Sequence, residues 1–87
     1  MIYKLDFKDI YNKETLYSYL KKEFKEYEFY GNNLDALMEV LICLKECELI
    51  IENVNSLRNC LGEYADRLKE TFLLASKENE KLKVIVK

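Results

Sequence analysis

Glu48-Leu49-Ile50-Ile51-Glu52 is a short apolar run closed at each end by an acid, with a polar break after it at residues 53–55. Such a run reads as an inner strand of a parallel sheet. The sequence on either side of it alternates between helical and extended patterns, and that alternation sets the fold class.

Toward the C-terminus, residues 56–61 form a short helical stretch that should end near Gly62. Residues 63–79 place Tyr64, Leu68, Phe72 and Ala75 on one face of a longer helix. Leu82-Lys83-Val84-Ile85-Val86 then alternates apolar and polar residues as a strand does. Toward the N-terminus, Leu34, Leu37, Met38 and Leu41 follow the i, i+3, i+4, i+7 spacing of a buried helical stripe. Gly31 precedes that helix where the chain must turn sharply, and Asn32 or Asn33 can cap it. Residues 14–25 carry Leu16, Tyr17, Leu20 and Phe24 at helical spacing after a polar break at Asn12-Lys13, and residues 2–7 alternate as a first strand.

The predicted order is strand, two helices, strand, two helices, strand. Right-handed crossovers would organise it into an α/β unit, a three-stranded parallel sheet covered by about four helices. With 87 residues, 49% of them hydrophobic, and no internal linker, the expectation is one domain over residues 1–87.

Composition narrows the chemistry. There is no histidine, which removes the usual general base, the triad imidazole and the commonest zinc ligand together. Cys43, Cys47 and Cys60 are irregularly spaced and odd in number, as reduced thiols of a cytosolic protein would be. Cys43 and Cys47 could share a helix face, but two thiolates alone make a poor zinc site, so the cysteines read as buried or half-buried structural residues. No cofactor or metal is expected. No basic segment leads into a long apolar run, and none approaches the roughly 20 apolar residues a membrane span needs. A soluble, cytoplasmic protein, monomeric when free and without membrane contact, is the expectation.

The net charge of −2 conceals an uneven distribution. Residues 26–52 hold seven acids against Lys45 alone, a local balance of −6 that leaves +4 for the remainder. A block this negative repels nucleic-acid backbones and attracts basic protein surfaces. Asp35 and Glu39 fall together on a side of the second helix away from its apolar stripe. An acid pair at i and i+4 costs a little stability unless a cation is to meet it. Asp35, in the first turn, also complements the helix dipole without any partner, whereas Glu39 lies too far in for that reason to apply.

The stretch Phe29-Tyr30-Gly31-Asn32-Asn33-Leu34-Asp35-Ala36-Leu37-Met38-Glu39 resembles the signature of the barstar family, an aromatic pair, a glycine, an Asn-Leu-Asp-Ala-Leu core and an acid. Weaker agreement runs through Leu20-Lys21-Lys22-Glu23, the strand at 49–52, Phe72 with Ala75, and the last strand. The resemblance implies an inhibitor rather than an enzyme, one that binds a small secreted-type ribonuclease of the barnase kind inside the producing cell. In that family, acids on the helix after the Gly-Asn turn replace RNA phosphates among the basic residues of the nuclease active site. The central acid would be Glu39, its companion Asp35, and the aromatic that packs on the nuclease imidazole Phe29. Asn33, Met38, Ile42 and Leu44 would be the flanking contacts.

Departures from the family pattern bear on partner choice. Glu39 replaces an aspartate, Phe29 a tyrosine, and Met38 and Leu44 stand where tryptophans occur. Ile42 and Cys43 replace small residues. Leu74 takes the place of a peripheral acid for which Glu70 or Glu78 could substitute. An immunity or regulatory module meeting a different basic protein is the alternative on this scaffold.

Overall fold

The computed structural model describes residues 1–87. Its elements are β1 (Ile2–Asp6), α1 (Lys13–Glu23), α2 (Leu34–Ile42), β2 (Cys47–Glu52), α3 (Val54–Leu61), α4 (Glu63–Glu78) and β3 (Leu82–Val86). The three strands form one parallel sheet in the order β1-β2-β3, with Leu5 beside Ile51 and Leu49 beside Val84. The expected α/β class with a central β2 and four helices is what the chain adopts.

The sheet is two-sided in character. Cys47, Leu49 and Ile51 of β2 are buried, while Glu48, Ile50 and Glu52 between them are only half-buried. Leu5, Leu49, Ile51 and Leu82 enter the core. The opposite face carries Lys4 and Glu52, joined at 3.5 Å across neighbouring strands. The core gathers 23 buried side chains from all seven elements and their connections, so each Leu or Phe fully removed from water contributes about 1.5–3 kcal/mol before chain entropy is charged against it.

Local chemistry fixes the element ends. Asn12 and Thr15 form a reciprocal capping box: Asn12 Oδ1 accepts from Thr15 N at 2.8 Å, and Thr15 Oγ1 accepts from Asn12 N at 3.2 Å. Helix α1 therefore begins at Lys13, and it stops at Glu23, short of the predicted Lys25, because Phe24 leaves helical geometry to enter the core. The predicted break at residues 53–55 contracts to one residue. Asn53 turns the chain in the left-handed region at φ 59°, a conformation that asparagine tolerates, and its Nδ2 donates to Asp6 Oδ1 at 2.7 Å. Helix α3 can then begin at Val54, whose side chain is buried.

The cysteines correct the sequence reading. Cys47 is buried, but Cys43 and Cys60 are exposed. Cys43 and Cys47 share no helix, since α2 ends at Ile42 and Cys47 opens β2.

Candidate functional site: the outer face of α2

Helix α2 has only nine residues, so its shape must be imposed by its surroundings. At its entrance Gly31 adopts φ +89°, and a Cβ there would stand 3.3 Å from Asn33 Nδ2. Glycine thus meets two requirements at this turn. Asn33 is extended and caps the helix, with Oδ1 accepting from Ala36 N at 2.8 Å. Between the two candidate caps of the sequence, Asn33 is the one used.

From that start, Ala36, Leu37, Val40 and Leu41 are turned into the core, and Asp35, Glu39 and Ile42 are exposed. At 100° per residue the three exposed positions lie within an arc of about 60°, opposite the buried ones. Leu34 and Met38 occupy the flank toward α4 and are half-buried. The predicted stripe of Leu34, Leu37, Met38 and Leu41 is therefore rotated: Leu37 and Val40 take the centre of the buried face, with Ala36 and Leu41 at its edges, and Leu34 and Met38 fall at the flank toward α4.

Two of the residues expected at the surface lie inside. Phe29 is 9% exposed and sets its ring edge-on to Tyr17, centroids 6.2 Å apart, with the Lys21 amine 5.8 Å from the ring. Leu44 is 2% exposed. The extended segment before Gly31 alternates its side chains, so when Phe29 points inward its neighbours Glu28 and Tyr30 point outward. Tyr30, 77% exposed, is the aromatic presented to solvent beside α2. The aromatic pair carried that signal, since only one of two adjacent extended residues can face the core.

The acidic block also divides. Glu52 is paired with Lys4, while Glu46 and Glu48 border the start of the sheet with Lys81 and Lys83. Four acids remain around α2. Glu26, Glu28 and Glu39 line a shallow concavity with Tyr27, Tyr30 and Cys43, and no cation borders it. Asp35 opens on the other side into a cleft between α2 and α4, with Met38, Arg67, Glu70 and Leu74. Glu70 thus joins Asp35 at this cleft, whereas Glu78 borders none of the concavities beside α2.

The ion pairs of the chain are Lys4 with Glu52, Lys8 with Asp6 and Arg58 with Asp66. None of the four acids around α2 has a cationic partner within 4.0 Å. No three His, Cys, Asp or Glu side chains come together in a way that could hold a metal ion. The arrangement can receive guanidinium or ammonium groups from outside, one carboxylate on each side of an exposed helical ridge.

This chain, an α/β sheet unit presenting an unpaired acidic helix, belongs to the barstar family: the family model described as Barstar (barnase inhibitor) matches residues 1–87. It is also similar to a Bacillus subtilis (strain 168) protein named "Putative ribonuclease inhibitor YrdF", with 32% identity over 85 residues, covering 94% of this chain and 93% of that protein. No helix is long and apolar enough to cross a membrane.

Proposed function

We propose that the chain is an intracellular inhibitor of a small, basic, barnase-type ribonuclease. It lays the outer face of α2 over the active site, and Glu39 and Asp35 take the positions of RNA phosphates. The observation that carries this reading is the pair of exposed carboxylates one turn apart on α2, with no ion-pair partner within 4.0 Å in their own chain. Family membership and the name of the Bacillus relative support it.

In this reading Asn33, Met38 and Ile42 flank the acids at the surface, and Tyr30 supplies the exposed aromatic. Phe29 and Leu44 brace the face from behind. The inhibitor does no chemistry on RNA. It excludes substrate, and the acids around α2 speed its encounter with a basic surface.

Mixing the purified protein with a barnase-type ribonuclease and following RNA cleavage tests the proposal. Cleavage should vanish at a small molar excess, and added salt should slow the onset of inhibition. Undiminished cleavage at excess would overturn it. The apolar Met38 and Leu74 beside Arg67, with the exposed Ile42, favour a partner with its own mixed surface, so capture of a basic protein that is not a nuclease is the competing outcome.

A further inference from the structure

Helix α2 lacks the usual devices at its C-terminal end. Its C-cap, Cys43, is in the right-handed region rather than the left-handed geometry that closes many helices, and no basic residue occupies the last turn. Glu39 sits close to the negative end of the helix dipole, where an acid is disfavoured. Cys43 N–H reaches Val40 O at 3.1 Å and Leu44 N–H reaches Leu41 O at 3.3 Å, so the end tightens into short turns.

The missing donors come from far along the chain. Asn79, 9% exposed, donates through Nδ2 to Leu41 O at 3.1 Å and to Leu44 O at 3.0 Å. Its Oδ1 accepts from Lys81 N at 3.0 Å, and its backbone N–H closes α4 on Ala75 O at 2.9 Å. Each polar group of the amide is used. Alternative side chains lack this combination of two donors and one acceptor on a short arm.

We propose that Asn79 is a positioning residue for the acidic face: it holds the C-terminal end of α2 in the geometry at which Glu39 and Ile42 meet a partner. The inference rests on the reading of α2 as the binding face. Asn33 fixes the helix at one end through a local cap, and Asn79 fixes it at the other through a contact spanning 35 to 38 residues. Losing it leaves the Leu44 carbonyl without a donor and Leu41 O with only the long bond from Leu44 N–H at 3.3 Å, and lets the last turn fray, while every surface charge stays in place.

The test compares Asn79→Ala with Leu57→Val, a variant of a buried α3 side chain, under conditions where their unfolding midpoints coincide. Hydrogen exchange in the free protein should rise about tenfold more at residues 40–47 in Asn79→Ala than in Leu57→Val. Against a barnase-type ribonuclease, dissociation of Asn79→Ala should quicken about tenfold with association within about twofold of wild type, because the steering charges remain. Asn79→Ser, which keeps one donor, should fall between and serves if the alanine variant does not fold. Equal exchange in the two matched variants overturns the proposal, as does unchanged dissociation. Should wild-type protein fail to inhibit the nuclease, the proposed function falls, and the exchange comparison still decides whether Asn79 holds α2.

Discussion

Replacing Asn33 by alanine removes the side chain that caps the N-terminus of α2. The lost contact is Oδ1 with Ala36 N–H at 2.8 Å, and Ala36 is 6% exposed, so little water can replace the acceptor. Loss of an asparagine cap costs about 0.5–2 kcal/mol, and the burial of Ala36 places this site in the upper half of that range. For a chain of 87 residues the unfolding entropy converts about 1–2 kcal/mol into a fall in Tm of roughly 5–10 °C. Thermal unfolding followed by circular dichroism reads it directly. Asn33→Asp retains the acceptor and adds charge at the positive end of the helix dipole, so it should melt at or above the wild-type temperature. A melting temperature within about 1 °C of wild type for Asn33→Ala, or an equal fall for Asn33→Asp, would refute the capping argument.

The Asn53 amide, followed by the Lys8 backbone N–H, holds the Asp6 carboxyl below its ordinary value of 3.8. The carboxylate therefore adds stability that is present above that value and lost as pH falls through the lower folded value. The urea midpoint of wild type should exceed that of Asp6→Asn at neutral pH and converge with it in acid; a gap independent of pH would contradict this. Burial, followed by the hydrogen bond with Tyr64, pushes the Tyr17 phenol far above its ordinary 10.0. Its stabilisation is intact below that value and fades as pH rises above it, so spectroscopic titration should show a phenol that ionises only on alkaline unfolding. Tyr17→Phe should abolish that late step and cost about 1 kcal/mol; an unaltered titration would exclude the assignment. Burial also raises the Cys47 thiol, whereas Cys43 and Cys60 are exposed. A thiol reagent should modify two groups quickly in the native protein and the third only after denaturation, and three equal rates would count against the packing of β2.

The fold was legible where patterns were periodic. The run at 48–52 marked the central strand, and Leu16, Tyr17 and Leu20 of α1, with Phe24 just past its end, are all buried as their spacing required. The less legible places were decided by contacts distant in sequence. Asn53 compresses a turn because Asp6, on another strand, accepts its amide. The α2 stripe is rotated because Leu34 and Met38 line an open cleft toward α4 while Ala36 and Val40 turn into the core, which helical periodicity alone cannot reveal. Asp35 and Glu39 were visible as a pair sharing one face. The burial of Phe29 and Leu44 was not, since an extended segment and a helix-to-strand turn leave the inward direction open until Tyr17 and Asn79 are in place. The acidic block looked like one surface in sequence, but strand pairing sends Glu52 to Lys4 and leaves four acids around α2.

The central claim is that the α2 carboxylates themselves make the inhibitor. Its most direct measurement is the inhibition constant of wild type, Glu39→Gln, Asp35→Asn and Glu14→Gln against a barnase-type ribonuclease at low and high salt. A charge-assisted hydrogen bond contributes about 1.5–3 kcal/mol, so Glu39→Gln and Asp35→Asn should each weaken inhibition about tenfold or more, with the loss shrinking in salt. Glu14, exposed on α1, should be nearly silent. Equal losses at all three positions, or none at Glu39, would contradict the account.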